Sequence, residues 1–201
     1  VVTADVSSTE NKGIIAYEVS TAPADKMTDM EIAPKYMGIK ASVYNGSSWS
    51  TPTLLTDQFD ANYTPRTAID ENGNAALAWK GGEYQASDYA QNAGSVVGSL
   101  YLKNYNGTTW SDPVQITSTV PGKSISDYTM AMLDGKPYML ATFGTESTTT
   151  RETKNTLGSI GYNADGEPYF VTSTFDNVSN PQLINFNGRL YGAAIVAKDK
   201  D

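Results

Sequence analysis

Residues Tyr105–Thr117 read YNGTTWSDPVQIT, and residues Tyr44–Thr56 read YNGSSWSTPTLLT. The glycines of the two phrases, Gly46 and Gly107, stand 61 positions apart. One such phrase is a turn between two strands, because glycine takes the positive φ that tight hairpin turns require. Two copies at a fixed offset point to a chain built from repeats. A weaker third copy, GSIGYNADGEPYFVTST, places Gly166 59 positions after Gly107 and puts Tyr169 where Trp110 stands.

The segments that follow each phrase share a second pattern: YTPRTAIDENGNAALAWK, DYTMAMLDGKPYMLATFG and NPQLINFNGRLYGAAIVAK. Each is an alternating apolar run, an Asn-Gly or Asp-Gly turn and a second apolar run, which is a hairpin signal. VVTADVSSTENKGIIAYEV at the start has the same shape. The hairpin glycines are Gly13, Gly73, Gly135 and Gly188, with spacings of 60, 62 and 53. Each repeat thus holds four strands: a hairpin A–B, a long loop, and a hairpin C–D around the YNG phrase. Four-stranded units of this kind are the blades of a β-propeller.

The fold expected is therefore all-β, one propeller segment over residues 1–201, with blades at approximately 1–56, 63–117 and 127–174 and a half-blade at 180–198. A ring of six to eight blades at this repeat length needs on the order of 360–480 residues. The chain is accordingly expected to be part of a larger propeller, or to complete itself with a second copy, because a half-ring leaves blade faces and strand edges open. Trp49 and Trp110 are expected at equivalent places in consecutive blades. Residues 20–38 are expected to hold one short turn of helix.

Composition narrows the partners. Hydrophobic residues make up 39% of the chain, enough for a packed core. The net charge of −8 repels phosphate backbones and anionic membrane surfaces, which argues against nucleic acid as a partner. No apolar run is long enough to span a bilayer, so no membrane insertion is expected. The chain has neither cysteine nor histidine, so disulfides, thiolate metal sites, zinc-histidine sites and imidazole bases are excluded. No metal and no cofactor are expected. The mid-strand start without an initiator Met reads as a mature protein or a piece of one. The Ser/Thr/Asn/Tyr-rich texture without cysteine points to an exported bacterial protein, extracellular or at the cell surface.

SVYNGSSW and KNYNGTTW resemble the Asp-box of sialidase-type propellers, which reads Ser-x-Asp-x-Gly-x-Thr-Trp and sits at the turn between the third and fourth strands of a blade. Ser42, Gly46 and Trp49 fall in register in one copy, and Gly107, Thr109 and Trp110 in the other. The motif's Asp is replaced by Tyr44 and Tyr105. The Asp-box is a structural device, so the resemblance implies a fold and no chemistry. The sialidase site it brings with it needs three arginines, a Tyr–Glu pair and an Asp acid. The three arginines here are Arg66 on strand A of the second blade, Arg151 in a loop and Arg189 at the start of the last strand. They do not converge on one side, and the Arg-Ile-Pro motif is absent.

The A–B and C–D turns lie on one face of a propeller disc and the B–C and D–A loops on the other. The second set is the long one: Ser20–Tyr36, Gly81–Val97 and Gly144–Thr156 between strands B and C, and TDQFDANYTP, STVPGKSISDYT and STFDNVSNP between blades. Long loops on a rigid scaffold commonly carry function. The candidate ligand-binding residues on that face are Asp60, Tyr63, Arg66, Glu83, Tyr84, Asp88, Tyr89 and Tyr128. Aromatic rings with short polar groups suit sugars, the ring stacking on C–H faces and the amides and carboxylates taking hydroxyls. Carboxylate pairs for a glycosidase can be drawn among Asp60, Glu83 and Asp88, yet 22 acidic residues supply such pairs by chance. Asp70–Asn74 and Asn163–Glu167 look like calcium-loop fragments and read better as hairpin turns. No catalytic residue is assigned. The reading is a non-catalytic binding or scaffold propeller for a glycan or a surface protein; the alternative is part of a sialidase-like glycoside hydrolase.

Overall fold

The structure is a computed structural model of the 201-residue chain. It describes residues 1–7, 11–27, 35–56, 61–85, 95–116, 124–146 and 153–197. The chain is all-β, and no α-helix occurs among the described residues. It divides into two compact units, residues 1–114 and 115–201.

The first unit contains β1 (Val2–Val6), β2 (Gly13–Ser20), β3 (Met37–Tyr44) and β4 (Thr53–Leu54), then β5 (Ala61–Ile69), β6 (Ala75–Gln85), β7 (Ser95–Tyr105) and the start of β8 (Val114–Gln115). Each set of four is a meander in chain order, antiparallel where register is defined. A single parallel bridge, Met37 to Ala61, joins the two sets. The inward residues of β2 and β3 fall in two buried clusters, Ala16, Ile39 and Ala41 with Leu77 and Trp79 of β6, and Ile14 and Val43 with Ile69 of β5 and Ala75 of β6, as strand alternation at period two requires.

Strand β1 lies beside β5. The Thr3 and Thr67 hydroxyls are 3.3 Å apart, and the Asp5 carboxylate accepts the Ile69 amide at 2.9 Å and the Val6 amide at 3.0 Å. Burial pushes the Asp5 carboxyl above its ordinary 3.8, against the smaller opposing pull of those two amides. Because the folded value is the higher one, Asp5 contributes its full stabilisation below about pH 3.8 and loses it as pH rises through the raised folded value. Thermal unfolding of wild type and Asp5→Asn across that range is expected to show the wild type's advantage shrinking as pH rises. An advantage that grows would mean that the amide bonds outweigh burial.

The second unit takes the remaining half of β8 and contains β9 (Ser124–Leu133), β10 (Lys136–Glu146), β11 (Thr153–Tyr162) and β12 (Pro168–Asp176), a third antiparallel meander. A separate hairpin, β13 (Val178–Phe186) with β14 (Arg189–Val196), packs on it. Tyr128, Met130 and Met132 of β9 are buried, with Phe143 and Ile160 of the neighbouring strands.

The turns follow the glycines closely. Asp134–Gly135 and Asn187–Gly188 have positive φ at both positions (50° and 73°, 50° and 71°), the primed geometry that matches strand twist. Asp70–Asn74 and Asn163–Glu167 share another turn: a backbone bond closes it at Gly73 and Gly166, and the leading side chain accepts the amide four residues on. At the first hairpin the positive φ falls on Asn11, and Gly13 already belongs to β2.

Several stretches expected as loops are strand at their ends. β6 and β7 stay paired through Gln85↔Ser95, so Gly81–Gln85 and Ser95–Val97 are ladder, with residues 86–94 outside the described residues, and Gly144–Glu146 pairs with Thr153–Asn155 in the same way. STFDNVSNP is strand on both sides of Asn177, whose left-handed φ of 56° turns the chain without a loop. Of the helical turn expected within 20–38, residues 24–27 form a turn and 28–34 lie outside the described residues.

Candidate functional site

The YNG turns superimpose in their bonding. Asn45 accepts the Ser47 and Ser48 amides at 2.9 and 3.0 Å, and Asn106 accepts those of Thr108 and Thr109 at 3.0 and 2.9 Å. Tyr44 rests against Trp49 and Tyr105 against Trp110, at 5.4 and 5.2 Å and nearly the same tilt. The two indoles are thus equivalent in their turns and differ in burial: Trp110 packs on the cluster of Ala16, Ile39 and Trp79 and on that of Ile14, Val43 and Ile69, while Trp49 is 52% exposed. These turns are structural, their side-chain acceptors consumed by their own backbone.

A different feature marks β5. Between Tyr63↔Lys80 and Arg66↔Ala78 its register shifts, so Thr64 and Pro65 together oppose Trp79. This is a β-bulge, a device that re-aims side chains. Proline suits it because it has no amide to leave unpaired. Thr64 has φ of 54°, left-handed geometry that a β-branched residue adopts only at a cost of about 1–3 kcal/mol. The Thr64 amide donates to Glu18 Oε1 at 2.7 Å, and the Glu18 side chain is only 11% exposed. Beneath the bulge, fully buried Asn62 donates to the Met37 carbonyl at 2.9 Å and accepts the Trp79 indole N–H at 2.9 Å.

Tyr63 and Arg66 flank this frame and are half-buried. The Arg66 guanidinium donates to the Pro65 carbonyl at 3.1 Å, which folds it back over the bulge. The pair offers an aromatic ring and a cation held within four residues on a rigid strand. The Glu18 carboxylate serves Thr64 through one oxygen and the Val1 nitrogen, at 2.8 Å, through the other. It is engaged in holding backbone.

Of the residues expected at a site, Tyr63 and Arg66 stand on β5 on either side of the bulge, both half-buried. Glu83 is exposed on β6. Tyr84 belongs to β6 by its backbone, and its side chain lies outside the described residues, as do Asp60, Asp88, Tyr89 and Arg151 entirely. Tyr128 is a correction: at 2% exposure it is a core residue of the second unit. The alternation of β9 puts it on the same face as Met130 and Met132, which turns it away from solvent. Sequence reasoning passed over Glu18, Thr64 and Trp79. The available signal was Glu18 itself, a carboxylate at the next inward position after Ile14 and Ala16. Asn62 also begins an Asn-x-Thr sequence, yet both ends of its amide are hydrogen-bonded in the core. No group of three or more metal-ligating side chains occurs among the described residues.

No protein-family model matches the chain, and no curated protein sequence matches it. Among solved structures it is similar to a polysaccharide lyase of family PL25, an ulvan lyase bound to -[GlcA(1-4)Rha3S]-, with TM-score 0.46 and 13% identity over 88% of this chain. A second structure of a PL25 ulvan lyase gives TM-score 0.45 at 13% identity and the same coverage. The chain spans about half, 46%, of the length of those proteins.

Proposed function

We propose that the four-stranded sets are propeller-type blades, three complete and one half, and that the first unit carries a saccharide-binding site centred on the β5 bulge. The blade reading is supported by the repeated meander order and by face-to-face packing of consecutive sets within each unit. The turns support kinship with the Asp-box, Asn45 and Asn106 supplying one position later the acceptor that the motif's Asp would supply. In this reading the chain belongs to an exported bacterial protein and binds a glycan, either free or displayed on a surface protein, without turning it over.

The observation that carries the site is the strained Thr64, held by a largely enclosed carboxylate, on the strand segment that carries Tyr63 and Arg66. Strain of this kind persists where the surroundings over-determine it, and it clusters at ligand sites. A ring and a guanidinium on the same strand suit a sugar bearing an acidic group: the ring takes a C–H face and the guanidinium takes the carboxylate or sulfate in a bidentate pair.

The test is a glycan array containing neutral, uronate-bearing and sulfated oligosaccharides, followed by titration calorimetry on the strongest binder. Arg66→Ala and Tyr63→Ala are each expected to weaken binding at least about tenfold. Tyr169→Ala, an exposed change in the second unit, is expected to leave it unchanged. Turnover of any array member, abolished by Glu83→Gln, would overturn the non-catalytic reading in favour of a glycoside-cleaving one.

A further inference from the structure

Both YNG turns contain an Asn-Gly pair, Asn45–Gly46 and Asn106–Gly107, and the chain has two more, Asn72–Gly73 and Asn187–Gly188. An asparagine followed by glycine can react with itself. The glycine backbone nitrogen attacks the carbonyl carbon of the asparagine side chain, with no Cβ on the glycine to stand in the way. Negative charge then develops on two oxygens. The attacking peptide gives up its N–H proton and spreads charge onto the asparagine main-chain oxygen. The side-chain oxygen becomes an oxyanion as the new bond forms. Donors already aimed at those two oxygens lower the barrier.

The first unit places donors on both oxygens of Asn45. Oδ1 accepts the Ser47 amide at 2.9 Å, the Ser47 hydroxyl at 2.9 Å and the Ser48 amide at 3.0 Å. The main-chain oxygen accepts the Lys12 ammonium at 2.6 Å. The stem of Lys12 is seated in the hollow that Gly73 leaves, where an added Cβ would come 3.7 Å from its Cδ. Asn45 itself is exposed to water. At Asn106 the side-chain cradle is repeated: Oδ1 accepts the Thr108 amide and hydroxyl, both at 3.0 Å, and the Thr109 amide at 2.9 Å. The cation is not repeated. Gly13 pairs with Tyr44 and Ala75 with Tyr105, so the counterpart of Lys12 is Asn74. Asn74 carries no charge, and its side-chain amide donates to Asp70 Oδ2 at 2.8 Å.

We propose that Asn45 is a self-modification site, converted to aspartate by its own turn and ahead of Asn106. The Gly46 nitrogen bonds to the Asn45 side-chain carbonyl carbon, the bond from that carbon to Nδ2 breaks, and Nδ2 leaves as ammonia with the proton that the Gly46 nitrogen gave up. Water then opens the imide ring, so one water is consumed for each ammonia released. Opening at the side-chain carbonyl gives an aspartate whose carboxylate accepts the Ser47 and Ser48 amides through charge-assisted bonds. The turn thereby gains the kind of acceptor that the Asp-box carries. Opening at the main-chain carbonyl gives isoaspartate, which lengthens the backbone within the turn. Either product makes the chain one charge more negative than −8.

The test is a time course of the folded chain in mildly alkaline buffer, with peptide mapping by mass spectrometry at all four Asn-Gly pairs. Asn45 is expected to convert about threefold or more faster than Asn106, the scale of one well-placed exposed charge. Lys12→Met is expected to bring Asn45 down to the Asn106 rate and to leave Asn106 unchanged, which also reports that the neighbouring turn is intact. Lys12→Gln, which keeps a donor without the charge, is expected to fall between. In urea, where neither turn is formed, the two rates are expected to converge, with Asn45 slower than in the folded chain. Three results overturn the proposal. One is an Asn45 no faster than Asn106 in the folded chain. Another is an Asn45 that converts faster in urea than folded, which means that the bonded turn locks the side chain away from attack. The third is a difference between the two sites that survives both Lys12 variants.

Discussion

Replacing Trp79 by alanine is expected to destabilise the chain by about 3–5 kcal/mol, the usual cost of emptying a large aromatic site. Trp79 is 0% exposed, packs with Leu77 and Ile39, and stacks on Tyr101 at 5.7 Å. The loss has a second part. Without the indole N–H, the Asn62 carbonyl oxygen loses its 2.9 Å donor at a fully buried position, which costs about 1–3 kcal/mol in its own right. Trp79→Phe keeps part of the ring volume and removes the donor, so it falls between wild type and Trp79→Ala. Urea unfolding followed by far-UV dichroism is expected to rank wild type above Trp79→Phe above Trp79→Ala. Because Asn62 also anchors the strand that carries Tyr63 and Arg66, Trp79→Phe is expected to weaken saccharide binding by more than its stability loss explains.

The second large effect is in the other unit, at a place where a glycine and two rings share one volume. Phe143 and Phe170 meet edge to face at 4.5 Å, and both lean over Gly158. A Cβ built at Gly158 would come 2.8 Å from the Phe143 ring and closer still to the Phe170 ring. Phe143 is 1% exposed, so Phe143→Ala is expected to cost about 3–5 kcal/mol. Gly158→Ala alone is expected to cost roughly 1–3 kcal/mol by overpacking. The two are not independent. With Phe143 truncated, the Phe170 ring, the closer of the two, can swing into the vacated space and clear the added methyl, so the double variant is expected to be clearly more stable than the sum of the single losses predicts. Strict additivity would mean the ring and the glycine do not compete for the same volume.

What could be read in advance was what is local. The YNG phrases, the hairpin glycines and the alternation of the apolar runs are each decided within a few residues, and they placed the turns at Gly73, Gly135, Gly166 and Gly188 where the structure has them. Two local substitutes escaped notice. Asn45 and Asn106 carry the turn amides one position after the residue the Asp-box comparison singled out, and Asn177 takes a left-handed conformation that turns a supposed loop into a bend. The site was legible only in part. Tyr63 and Arg66 announce themselves as an aromatic and a cation near the start of a strand. The bulge that frames them depends on Glu18, 46 positions away from Thr64, and on Trp79 meeting Asn62 across the sheet. The periodic trace of those contacts is a single one, the carboxylate Glu18 at the next inward position after Ile14 and Ala16 on β2. Tyr128 was misjudged for a related reason: a tyrosine near a loop looks available until its neighbours at Met130 and Met132 fix which face it shares.

The most direct test of the central claim, a saccharide site on the β5 bulge, is an amide and indole chemical-shift titration of the labelled chain with the strongest array binder. The account predicts saturable shifts concentrated at Tyr63, Thr64 and Arg66 and at the Trp79 indole N–H beneath them, lost in Arg66→Ala while the rest of the spectrum is preserved. Shifts confined to the second unit, or no array member that binds at all, would contradict it.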